Sequence, residues 1–298
     1  MNFCFGEKGE LSLEKVKIKP QRRKVNKISL KREKPGATYI DSHIHLADEA
    51  YQGRISTILE QAEREGVRIV IANSEDLETS LKTLEIAESH PLRVLPAVGV
   101  HPWAAPETGL GEVGKVVELV ARCRGKLTAV GEVGLDIAYT KGNLEAWEKQ
   151  RKVFRFMLEA AEKAGLPVVA HSRRSALEVF EEASSYRVRM VFHWFSGEIT
   201  VLRRILDAGY YITVGPSIHY SKHIQQIASE TPLSKVMAET DGPVKYRGPF
   251  QSVETTPSLI PRVVEKIAEI KGVPLAETAV QIVDNCRKVF AGVDEALK

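Results

Sequence analysis

From residue 38 onward, eight short apolar runs rich in β-branched residues alternate with longer amphipathic stretches. No other feature constrains the fold as much. The runs are TYID (38–41), VRIVIA (67–72), RVLPAVG (93–99), LTAVGE (127–132), LPVVAH (166–171), RMVFH (189–193), YYITVG (210–215) and KVMAET (235–240). Between them, ISTILEQAEREG, EAWEKQRKVFRFMLEAAEKAG and EITVLRRILDAG repeat apolar residues at three- and four-residue spacings and end on Gly. That is the pattern of amphipathic helices with a glycine stop. Strands alternating with helices imply parallel β-α units, and eight such units predict a closed (β/α)8 TIM barrel. An open doubly wound sheet would carry a Gly-rich phosphate loop after its first strand, and DSHIHL (41–46) is not one. After the long loop DGPVKYRGPFQSVETTP, two more helices are expected, roughly 258–271 and 275–290, as a helical C-terminal end.

A length of 298 residues with 43% hydrophobic content fits one large barrel domain, expected over 38–298. No apolar run reaches the roughly 18 residues of a membrane span, and the N-terminus lacks a signal-type apolar region. Cys4, Cys123 and Cys286 lie far apart with no Cys-x-x-Cys pair, a cytoplasmic pattern without a disulfide framework or cysteine metal site. The net charge of +3 hides an asymmetry. Residues 1–37 hold eleven Lys or Arg against four Glu, and the remainder holds 31 basic and 35 acidic residues. This basic extension reads either as a nucleic-acid-contacting arm or as a solvated segment or short hairpin.

Active-site residues of such barrels sit at the C-terminal ends of the strands. The first strand ends in Asp41, His43 and His45, the fourth in Glu132, the fifth in His171, the sixth in His193, and Asp241 follows the eighth. In a strand, His43 and His45 share one face. Four histidines and two carboxylates exceed what one tetrahedral zinc needs and suit two divalent ions with a bridging carboxylate. Zn, Mn, Fe or Ni fits this mixed donor set better than Ca, and Mg is also a candidate ion. Such ions lower the pKa of water and stabilise charge on a phosphoryl or carbonyl oxygen. Asp241 is then placed to act as general base, and hydrolysis is the economical reading. No nicotinamide, flavin or phosphate-loop signature competes.

The ordered motifs DSHIHL, GVHPW, GEVGLD, HSRRS, HWFSG and ETDGP, with NCRKVF near the end, resemble the TatD family of metal-dependent hydrolases, within the amidohydrolase-type barrel superfamily. The resemblance implies a two-metal site and DNase or related phosphoesterase activity. It implies that His43, His45, Glu132 and Asp241 hold one metal, and that Glu132 bridges to a second on His171 and His193. Arg173 would clamp a substrate phosphate, and His101 would either touch substrate or serve a structural turn. Other superfamily branches bridge through a carbamylated lysine, whereas here Lys126 lies at the wrong end of strand four. Trp194 stands where a small residue or cysteine is usual, and Gly242 where Ser or Ala is common. Trp194 would either stack on a base or pack in the core.

His219 and His223 imitate a zinc pair on a helix, but the glutamate of a zincin motif is absent, and His90 reads as an exposed helix-end residue. Tyr246 and Arg247 would form a substrate rim or an ordinary loop. Three functions stay open: a nuclease acting on nucleic acid, a hydrolase of amide or ester substrates of the aminoacyl-tRNA deacylase kind, and a non-catalytic nucleic-acid binder. Intact ligands disfavour the last. Cations at the site's mouth, for which Arg173, Lys245 and Arg247 are candidates, would favour the first.

Overall fold

A computed structural model describes residues 36–298; the expected hairpin and most of the basic extension lie outside the described residues. Eight strands, β1 (Tyr39–Ile44), β2 (Val67–Asn73), β3 (Val94–Val98), β4 (Ala129–Gly134), β5 (Val168–His171), β6 (Met190–Phe192), β7 (Tyr211–Val214) and β8 (Val236–Ala238), follow one another in space in chain order. Every adjacent pair from β1–β2 to β7–β8 is parallel. The seam between β1 and the residues after β8 is joined by Asp241 N donating to the His43 carbonyl and His45 N donating to the Gly242 carbonyl, both at 2.9 Å. The expected barrel is therefore the observed one. Among the described residues no helix is long and apolar enough to cross a membrane.

Two buried layers hold it together. One packs Ile40, Ile69, Ile71, Ala97, Ala129, Val169, Val191, Tyr211 and Met237, at least one from each strand, onto Val283, Cys286 and Val289 of the helix Leu275–Val289. The other packs the opposite strand faces, including Val70, Val98, Val130, Ala170 and Phe192, against the surrounding helices. Asn285, in the NCRKVF segment, donates to the carbonyls of Leu233 and Val236 at 2.8 and 2.7 Å and so fixes that helix beneath β8.

β1 runs to Ile44, three residues beyond the expected TYID strand. Apolar patterning stops at Asp41 because Asp41, Ser42 and His43 are polar, yet all three are fully buried. Two of them are satisfied across the seam: Ser42 Oγ donates to the Ala238 carbonyl at 2.8 Å, and Asp41 accepts from Thr240 N at 3.0 Å and from the Thr240 hydroxyl. A register shift between Asp41 and Ile44 accompanies the divergence of Asp41 from the two histidines. The two last long helices, Ile260–Lys271 and Leu275–Val289, lie within a residue or two of expectation.

Candidate metal centre

The ends of β1, β4, β5, β6 and β8 open onto one cavity of about 710 Å³, lined by His45, His101, Glu132, His171, His193 and Asp241 among others. Glu132, near the end of β4, occupies the middle. Its Oε2 lies 3.2 Å from His43 Nε2 and 3.1 Å from His45 Nε2. Its Oε1 lies 2.6 Å from His171 Nδ1, 2.8 Å from His193 Nε2 and 3.2 Å from His101 Nε2. Asp241 Oδ1 completes the first group at 3.5 Å from His43 and 3.4 Å from His45. One carboxylate thus faces two imidazole sets, one with each oxygen.

This donor set fits divalent ions. Four ligands about 2.1 Å from a tetrahedral ion stand about 3.4 Å apart. His43 and His45 stand 3.1 Å apart at Nε2, and each lies 3.1 to 3.5 Å from Glu132 Oε2 and from Asp241 Oδ1. Among the described residues, three groups, His43–Glu132–His193, His43–His45–Asp241 and His101–Glu132–His171, gather donors closely enough to hold a metal ion. Mixed imidazole and carboxylate donors suit divalent transition metals.

The electrostatics are those of a site that holds protons when it holds no cation. Burial opposes the protonation of His45, but hydrogen bonds to Asp241 and Glu132 outweigh it and raise its pKa well above the usual imidazole value. His171 and His193 are raised against the same burial, His171 by Asp136 and Glu132, His193 by the charges of Glu132 and Glu239. Burial also pushes Glu132 and Asp241 up, yet the surrounding histidines hold both below the ordinary carboxylate range. His101 is pushed down by burial to about 4 and stays neutral.

Two carboxylates that sequence reasoning left without a role stand behind this centre. Asp136 Oδ2 lies 2.7 Å from His171 Nε2 and accepts from Arg173 Nε at 2.8 Å, while its Oδ1 caps the short helix Ile137–Thr140. Glu239 Oε2 faces His193 Nδ1 at 3.4 Å and accepts from the Thr213 hydroxyl. Buried carboxylates in these places fix ring orientation and ligand basicity. The only signal in the sequence was membership of GEVGLD and ETDGP. Asp41, read as one of the acidic strand ends, instead turns to Thr240; burial raises its pKa to about 8.

The remaining candidates divide. Arg173 lines the cavity with its guanidinium 4.6 Å over the Tyr139 ring, and Arg247 lines it too, whereas Lys245 does not. Among the described residues no lysine lines the cavity, and Lys126 pairs with Glu88 on the surface at 2.8 Å. Tyr246 is buried rather than at the rim and donates to the Thr240 carbonyl at 2.9 Å. His219 and His223 sit on different elements, the 3-10 turn Pro216–His219 and the helix Lys222–Glu230, and each is held by backbone carbonyls. His90 is at its helix end as expected, but partly buried against Ser56.

A (β/α)8 barrel that gathers imidazoles and carboxylates at its strand ends has the build of a metal-dependent hydrolase. The chain belongs to the TatD related DNase family, whose profile matches residues 40–291. It is 30% identical over 265 residues to the human protein named Deoxyribonuclease TATDN3, covering 86% of this chain and 95% of that one. It is 27% identical over 252 residues to an uncharacterized metal-dependent hydrolase of Methanocaldococcus jannaschii, covering 85% and 96%. The crystal structure of YjjV, a TatD homologue from Escherichia coli, superposes with a TM-score of 0.79 at 27% identity, over 85% of this chain and 97% of that one.

Proposed function

We propose that the protein is a metal-dependent phosphodiesterase acting on nucleic acid, a deoxyribonuclease by analogy with its named human relative. The observation that carries this reading is the position of Glu132, one oxygen toward His43 and His45 and the other toward His171 and His193. In this reading His43, His45, Asp241 and Glu132 hold one divalent ion, and Glu132, His171 and His193 hold another, drawn from Zn, Mn, Fe, Ni or Mg. Ions in these places supply Lewis acidity for a phosphoryl oxygen and make water a stronger acid.

The protein's own side chains do the rest. Asp241, held ionised by its histidine neighbours, accepts the proton of the attacking water. Arg173, steadied at Nε by Asp136 and against Tyr139, turns a pre-oriented guanidinium to a substrate phosphate. Among the described residues its Nη atoms make no hydrogen bond. Neutral His101 accepts from Trp103 N at Nδ1, which leaves its Nε2, 3.1 Å from His171 and 3.2 Å from Glu132, as the donor that faces the centre. Arg173 and Arg247 at the mouth favour phosphate over a neutral amide or ester.

The test is hydrolysis of end-labelled single-stranded DNA by metal-reconstituted protein, with EDTA and Asp241→Asn as controls. Laddering that disappears in both controls supports the reading. Absence of cleavage with metal still bound overturns it and redirects attention to aminoacyl and small ester substrates.

A further inference from the structure

We propose that Trp194 is a base-stacking platform beside the metal centre, which makes the cavity a subsite for one unpaired nucleoside. This rests on the phosphodiesterase reading and deepens it. Trp194 follows His193 directly in the chain and lines the same cavity as the residues of the centre. Its backbone has φ +36, in the left-handed region that a bulky residue rarely adopts. The backbone is pinned there by Trp194 N donating to Thr213 Oγ1 at 2.8 Å.

The ring itself is braced from behind. It packs at 5.2 Å and 45° on Tyr246, part of a buried cluster with Phe250 and Leu259, and Tyr246 is tied by its hydroxyl to Thr240. A partly exposed indole with one side packed and fixed loses little entropy when a base covers the other side. A polar contact is also available in the adjoining wall. Ser217, in the turn after β7, lines the cavity, is only 4% exposed, and its buried Oγ has no hydrogen-bond partner among the described residues. An unpaired buried hydroxyl costs free energy that a ligand group can recover. A nucleoside supplies both a flat face for the indole and polar edges for Ser217.

The experiment compares single-stranded oligonucleotides ending in thymidine with the same oligonucleotides ending in an abasic tetrahydrofuran residue, placed at the 3′ end and separately at the 5′ end. They are cut by the wild type, Trp194→Phe, Trp194→Leu and Ser217→Ala, each metal-loaded and checked by thermal unfolding. Stacking on an aromatic side chain predicts a preference of about tenfold in KM for the base-bearing terminus at one end. Trp194→Phe keeps that preference, and Trp194→Leu, which retains bulk without a π face, loses it. Ser217→Ala raises KM for the thymidine end about threefold. If the wild type cuts both substrates with equal KM at both ends, or Trp194→Leu keeps the preference, the subsite is overturned while the phosphodiesterase stands. If no variant and no wild-type sample cuts either substrate, the phosphodiesterase reading falls and takes the subsite with it.

Discussion

Asp241 N donates to the carbonyl of His43 at 2.9 Å, so one of the hydrogen bonds that close the barrel also joins two residues of the candidate metal centre. Because that bond uses backbone atoms, Asp241 can lose its charge without opening the seam. Asp241→Asn is therefore expected to unfold near the wild-type temperature while losing about 10² to 10⁴ of hydrolytic rate, as removal of a general base does. Bound metal, counted by atomic absorption after dialysis, should also fall. Full activity in Asp241→Asn would remove the residue from the mechanism.

Asp136 and Glu239 touch histidines rather than the space between them, and their replacement separates orientation from ligation. Asp136→Asn and Glu239→Gln are each expected to weaken metal affinity by about 10- to 100-fold, measured by calorimetric titration with Mn or Co. Asp136→Asn should also raise KM, since Arg173 loses the partner of its Nε. Unchanged metal affinity in both variants would reduce these carboxylates to packing.

Metal loading should be coupled to pH. His45, His171 and His193 have raised pKa values in the metal-free site, and a metal takes only the neutral imidazole. Protons held below those pKa values compete with the ion, so affinity rises as pH rises and protons are released on binding. His101, depressed to about 4, contributes none of them. Calorimetry in buffers of differing ionisation heat should show proton release at pH 6 that declines as pH rises through the raised imidazole pKa values. A proton count of zero at pH 6 would contradict the assigned charge states.

Gly242 and Tyr51 are coupled by space. A Cβ on Gly242 would lie 2.1 Å from the Tyr51 hydroxyl and 2.7 Å from the Thr255 carbonyl, to which that hydroxyl donates. The buried tyrosine thus fills the volume that a serine or alanine side chain would need. Gly242→Ala is expected to cost about 1–3 kcal/mol of stability by overpacking. Adding Tyr51→Phe removes the nearer obstacle but not the carbonyl. The double variant should therefore exceed the sum of the singles by at least about 0.5 kcal/mol in denaturant unfolding, without full recovery. Strict additivity would show that the backbone, and not Tyr51, resists the methyl group.

The alternation of apolar runs and amphipathic stretches was enough to determine eight β-α units, because burial between barrel and helices imposes period-two and period-3.6 patterns that a single chain displays locally. It also singled out the candidate donors, since strand ends are readable and His43, His45, Glu132, His171, His193 and Asp241 all stand within three residues of them. Only the tertiary structure decided what those donors face. Asp41 shares the strand and the charge type of a ligand, yet a register shift and the nearby Thr240 send it elsewhere. Asp136 and Glu239, unremarkable within their motifs, became partners of His171 and His193 through contacts spanning 35 and 46 residues. Tyr246 left the rim for the core, and Trp194 kept one side on the cavity. Local sequence encodes which face of an element is apolar. The direction of a polar side chain is set by partners distant in the chain, and those exist only once the barrel has closed.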